Sequence, residues 1–281
     1  MKLVTYDIAG RRGIGALKND AVIDLTAAGL PASMRELIAG GAALLQSAAR
    51  IEKPVLPLKG LHLLAPVPDP QKVVAIGLNY MDHCREQNVA VPTKPLVFAK
   101  FPSSIIGPEA PIYYDPALTN QVDWEAELGV IIGKRARNVK RAEALSYVFG
   151  YTPLNDVSAR DLQFGDKQWV RGKSLDTFCP FGPAITTADE IPDPQKLHIY
   201  SRVNGMTMQD SSTSEMIFPV DELVAFLSNA FTLEPGDVIA TGTPNGVGVF
   251  RTPKVFLQNG DRVEIEIENL GVLLNPVVTT A

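Results

Sequence analysis

The chain has 281 residues, 46% of them hydrophobic and 20% charged, with 26 Lys and Arg against 31 Asp and Glu. That composition builds a sizeable core and excludes disordered, collagenous and disulfide-stapled chains. A net charge of −5 without a basic tract argues against nucleic acid or an anionic membrane surface as a partner.

In chain order, KLVTY, RRGIGAL and AVIDL within residues 1–25 read as short strands, separated by Gly and by Asn19-Asp20. Residues 32–51 read as helix, with Met34, Leu37, Ile38, Leu44 and Leu45 as its apolar stripe. Gly40-Gly41 weakens the middle, so two short helices are an alternative. Five prolines between Pro54 and Pro70 mark a linker and place a boundary near residue 66: a small N-terminal domain, 1–66, and a larger one, 67–281. From Lys72 onward short β-like runs dominate, among them VVAIG, PLVFA, VDWEAELGVIIG, YVFGY, GDVIAT and DRVEIEIE. Residues 219–229 are the clearest helix. The fold class is therefore α+β with antiparallel or rolled sheet, and the missing βαβα alternation disfavours doubly wound and TIM-barrel folds. Cys84 and Cys179, the two cysteines, form no CxxC and fit a reducing, cytoplasmic setting. The start of the chain has no signal-like apolar run, and no stretch is long and apolar enough for a membrane span.

The most informative segment is VDWEAELGVIIG, residues 122–133. In a strand, Asp123, Glu125 and Glu127 share one face. Two carboxylates at i and i+2 can hold one hard cation between them; the competing reading is a solvated acidic face. Further on, Asp156, Arg160 and Gln163 have helical spacing and form a candidate ligand clamp or an N-capped short helix. Lys173 follows a glycine in an aromatic, Pro-containing segment and is either a carbonyl-polarising group or a surface lysine. His83 and Glu86 at i, i+3 could make a general base. Cys84 points off that face, which disfavours a Cys–His dyad. TGTPNGVG, residues 241–248, offers backbone N–H groups and the hydroxyls of Thr241 and Thr243 to an oxyanion or a substrate carbonyl. The segment from Tyr80 to about Pro92 is polar and follows a strand end, as a mobile lid would.

Together and in this order, GLNYMDHCRE, PLVFAKFPSSIIGP, VDWEAELGVIIGK, GYTPLNDVSARDLQ, QWVRGKSLDTFCPFGP, LEPGDVIATGTPNGVG and GDRVEIEIENLG resemble the fumarylacetoacetate hydrolase family. The resemblance spans roughly residues 73–271. It implies a mixed β-roll catalytic domain behind a small N-terminal α+β domain, a homodimer, and one divalent metal, Mg²⁺ or Mn²⁺ with Ca²⁺ as an alternative. By motif position Glu125, Glu127 and Asp156 are the metal carboxylates. His83 and Glu86 activate water, Lys173 and Gln163 serve the chemistry, and Arg160, Tyr80, Gly242 and Thr243 meet the substrate. Met206 stands where members often carry a polar residue, and is read as a surface difference.

The implied substrate is a small 2-oxo or 2,4-dioxo acid. The first functional expectation is a metal-dependent hydrolase that cleaves a C–C bond of an acylpyruvate. The alternative is an oxaloacetate decarboxylase or a 2-oxo acid isomerase or lyase using the same site. A binding module without turnover is disfavoured, because both the metal acids and a base are present.

Overall fold

The computed structural model describes residues 1–280. Its frame is an 11-stranded sheet that runs from Lys2–Ile8 through Ile185–Thr187, Val148–Asn155, Ala126–Ile132, Val238–Ala240 and Val73–Gly77 to the edge strand Leu96–Lys100. These neighbours are antiparallel except Val238–Ala240 beside Val73–Gly77. A second sheet of five strands includes His198–Val203, Arg262–Ile267 and Gly271–Thr279.

The large sheet is rolled. Leu96–Lys100 lies four strands from Val148–Asn155, which in a flat sheet is about 19 Å. Yet Lys100 Nζ sits 2.5 Å from Asp156 Oδ1, one residue beyond that strand. Only curvature brings the two together.

The central strands are buried on both faces, and alternation sends their side chains into separate cores. Val74, Ile76, Leu128 and Val130 meet Ile199, Ile265 and Ile267 of the second sheet and the Val220–Ala230 helix. Val73, Ala75, Ile131 and Val238 join Met34, Leu37 and Ile38 on the other side. The latter three come from the helix Met34–Ala39, which is followed by Gly41–Arg50. The break at Gly40-Gly41 is thus real.

Two expectations need correction. The proline-rich stretch is not a free linker: Val55–Pro57 pairs with Ala21–Asp24, and His62–Leu64 pairs with Lys2–Ile8. Proline lacks only one donor, and edge strands tolerate that. Nor does the division at residue 66 divide the sheet, because Lys2–Ile8 pairs with Ile185–Thr187. Met206 is 66% exposed, at the start of the strand Met206–Ser212.

Candidate active site

The acids lie where strands end. VDWEAELGVIIG is not one strand but two, Val122–Asp123 and Ala126–Ile132. The interruption lets Glu125 N–H bond to Asn155 Oδ1 and Asp156 N–H bond to the Glu125 carbonyl. Glu125, Glu127 and Asp156 then present carboxylate oxygens within 4.8 Å of one another, all buried. Asp156 is not on the helix with Arg160 and Gln163, as the spacing had implied. It precedes the short strand Ser158–Ala159, and only then does Arg160–Gly165 become helical. Asp123 has a different task. It accepts from Arg160 Nε at 2.8 Å and from the backbone N–H groups of Gly248 and Val249.

Cations surround this cluster unevenly. Lys173 Nζ donates to Glu125 Oε2 at 2.7 Å and to Asp156 Oδ2 at 3.0 Å. Arg160 Nη1 donates to Glu125 Oε1 at 2.6 Å and to Gln163 Oε1 at 2.9 Å. Burial alone would raise the Glu125 carboxyl, but Lys173 and then Arg160 hold it down at about 2. Glu127 is the opposite case. Burial, then the Asp156 and Glu125 carboxylates, push it well above the usual carboxylate range. Its hydrogen bond comes from the Gly242 N–H, at 2.9 Å. Three buried oxygen ligands, one of them without an ion pair among the described residues, are a donor set that fits a hard divalent cation.

A cavity opens beside the acids. Glu125, Glu127, Arg160, Gln163, Lys173, Thr243 and His83 line it, with Phe98, Trp169 and Phe250 among its apolar walls. Arg160 Nη2 is buried and has no hydrogen-bond partner. Thr243 Oγ1 accepts from Gln209 Nε2 at 2.8 Å, and Gln209 Oε1 in turn accepts from Ala126 N–H.

His83 and Glu86 sit on the helix Met81–Gln87, with Nδ1 and Oε2 2.9 Å apart. Glu86 Oε1 also accepts from Gly246 N–H at 2.9 Å, which fixes the carboxylate. With Nδ1 so engaged, Nε2 is the ring nitrogen left to serve the cavity. The helix is tied down: Ser211 Oγ donates to Asp82 at 2.5 Å, and Arg85 pairs with Glu215 at 2.7 Å. His83 is only 6% exposed. A buried, docked His83 counts against the mobile lid expected here.

The glycine-rich loop also differs from expectation. Its N–H groups at Gly242, Gly246 and Gly248 donate to Glu127, Glu86 and Asp123, so it orients three carboxylates of the site instead of cradling an oxyanion. Gly242 and Tyr80 are not among the cavity's lining residues. Tyr80 is fully buried, and burial, then Glu127, raise its hydroxyl pKa well above normal.

Sequence reasoning missed Lys100 and Gln209. Lys100 shares the strand Leu96–Lys100 with Phe98. Two residues apart, they fall on one face, and that alternation was the available signal.

The profile of the fumarylacetoacetate (FAA) hydrolase C-terminal domain matches residues 72–278. The chain belongs to the fumarylacetoacetate hydrolase family. A mitochondrial oxaloacetate tautomerase of Bos taurus is 49% identical over 289 residues, covering 99% of this chain and 92% of that protein. The fumarylacetoacetate hydrolase structure from Exiguobacterium antarcticum superposes with a TM-score of 0.90 at 42% identity, each chain fully covered. Maleylpyruvate hydrolase from Sphingobium sp. SYK-6, solved with manganese(II) and pyruvate, gives 0.83 at 33% identity, again over both whole chains. The chain is thus an enzyme of this family with the family's mixed α+β fold. The relatives' names include tautomerisation as well as hydrolysis, so the acylpyruvate-hydrolase expectation no longer leads.

Proposed function

We propose that this chain is a divalent-metal-dependent 2-oxo acid tautomerase, with oxaloacetate as the first substrate to test. The observation that carries this reading is the His83–Glu86 pair on the same cavity as Glu125, Glu127 and Lys173. Glu125, Glu127 and Asp156 would hold Mg²⁺ or Mn²⁺, which when bound supplies an electrophile for the 2-oxo acid head. Arg160 Nη2, the buried donor without a partner, receives the substrate carboxylate. His83 Nε2 takes a proton from C3 while Glu86 holds the imidazole in place. Lys173 Nζ faces the charge that grows on the 2-oxygen. The C3 proton moves to His83, a proton from water reaches that oxygen and His83 returns its own to water, so ketone becomes enol with no other bond broken. Proton transfer at C3 needs no attacking water, which suits a base as buried as His83.

The second reading is C–C hydrolysis of an acylpyruvate, supported by the same dyad and by the likeness to maleylpyruvate hydrolase. There His83 would deprotonate water. Oxaloacetate and an acylpyruvate, each followed by NMR with Mg²⁺ or Mn²⁺, separate the two. Faster keto–enol exchange of oxaloacetate without pyruvate is expected. Pyruvate plus a carboxylic acid from the acylpyruvate, with oxaloacetate exchange at its uncatalysed rate, would overturn the tautomerase reading. A homodimer belongs to this reading and is tested by sedimentation equilibrium. A cytoplasmic location is likewise a proposal, beside the mitochondrial one in the bovine relative's name.

A further inference from the structure

Lys100 has a fully buried side chain. Its Nζ donates to Asp156 Oδ1 at 2.5 Å, to the Val157 carbonyl at 3.3 Å and to the Lys173 carbonyl. An ammonium has three N–H donors, and here each has an acceptor. Lys100 is not among the residues that line the catalytic cavity, so it does not touch the substrate. A buried ion pair is weak evidence for stability, since apolar replacement is often neutral or stabilising. Its placement here calls for another reason, and the partners supply it. One acceptor belongs to a metal-binding carboxylate, and another to the main chain of the lysine that faces the 2-oxygen.

We infer that Lys100 is a positioning residue: it ties down Asp156 Oδ1, so that Oδ2, which accepts from Lys173 Nζ, is the oxygen that turns to a cation, and it anchors the main chain of Lys173. The two consequences are linked through one ammonium. Asp156 Oδ2 is already 3.0 Å from Lys173 Nζ, so release of Oδ1 would let the carboxylate rotate and carry that contact with it. Lys173 would then lose the anchor on its carbonyl and one of its two side-chain partners, keeping Glu125 Oε2. Misplacement of a reacting group by about 1 Å can cost about 100-fold in rate.

The test uses the full-length protein with Lys100→Met and Lys100→Arg, Mn²⁺ as the probe, and oxaloacetate keto–enol exchange as the assay. In Lys100→Met, Mn²⁺ affinity measured by calorimetry stays within about threefold of wild type, because all three carboxylates remain. The stabilisation on adding Mn²⁺ stays close to that of wild type at the same Mn²⁺ concentration, because it follows the affinity. Meanwhile kcat falls about 10- to 100-fold with KM changed much less. Lys100→Arg, which keeps charge and donors, recovers at least tenfold of a 100-fold loss, or most of a smaller one. A tenfold or greater loss of Mn²⁺ affinity in Lys100→Met, or a kcat within twofold of wild type, overturns the proposal. If Lys100→Met does not fold, Lys100→Gln is read by the same criteria. Only the kinetic arm rests on the tautomerase reading. If wild type exchanges no oxaloacetate, that reading fails, and the same kcat and KM comparison is made on acylpyruvate hydrolysis, with the Mn²⁺ affinity criterion unchanged.

Discussion

At the scale of single residues, the chemistry turns on which nitrogens and oxygens are already engaged. His83 Nδ1 is engaged by Glu86, 2.9 Å away, so removing the imidazole removes the proposed base but none of the carboxylates proposed to hold the metal. His83→Ala should lower keto–enol exchange by about 10²–10⁴-fold, with Mn²⁺ affinity retained by calorimetry. A loss below about threefold would pass the base role to another group. Cys179 gives a pH prediction. It is fully buried, and burial pushes its thiol from 9.0 to about 12. The unfolded chain therefore loses this proton first. The thiol's contribution to stability is complete below about pH 9 and is lost as pH rises toward 12. Urea unfolding at pH 8 and pH 10 should show wild type losing about 1.4 kcal/mol more than Cys179→Val. Equal losses in the two proteins would refute the shift. The acid pair was legible because strand alternation is local: Glu125 and Glu127 needed only their spacing. Lys100 was not, because its contact with Asp156 depends on the roll of a whole sheet.

At the scale of elements, the loop 241–248 shows how a motif can be visible and its task hidden. Three glycines and a preceding β run announce free N–H groups, but where those groups point is a tertiary fact. They point at Glu127, Glu86 and Asp123. Gly246 has φ +98°, and a Cβ there would lie 2.2 Å from the Met208 carbonyl oxygen. Gly246→Ala thus meets both backbone strain, about 1–3 kcal/mol, and a clash with main chain that cannot swing aside. Tm should drop, and kcat should drop further than Tm explains, because the Gly246 N–H holds Glu86. Gly165→Ala is the control: a Cβ there has nothing within 4 Å, and stability should stay within about 0.5 kcal/mol. Matching Tm values for the two variants would contradict this account. The helix Met81–Gln87 teaches a related point. Its polar sequence looked lid-like, but Asp82 and Arg85 are polar because they dock on Ser211 and Glu215.

At the scale of the whole molecule, the α+β class and rolled sheet could be read from the run of short strands and the scarcity of helices. The relation between the two parts of the chain could not. Prolines mark where strands are interrupted, and they do not report whether the next strand returns to the same sheet. Here Val55–Pro57 and His62–Leu64 both do. Lys2 and Leu3 pair with Thr186 and Ile185, and Leu3, Met34, Leu37 and Ile38 share one core with Ile131, Leu154 and Val238. Ile131 and Leu154 belong to the two strands that also carry Glu127 and lead into Asp156. Removing residues 1–66 would therefore leave Ile185–Thr187 as a bare strand edge and uncover the back of the sheet that positions the acids. Exposed edges and apolar faces favour association between chains. Expressed alone, residues 67–281 should be aggregated or poorly folded, and should bind Mn²⁺ at least tenfold more weakly than the full chain. Co-expression of the separate 1–66 segment should restore soluble protein in part. A monodisperse 67–281 fragment with full Mn²⁺ affinity would show that the rolled sheet is stable without its N-terminal strands, and that the first 66 residues serve some purpose other than holding the site.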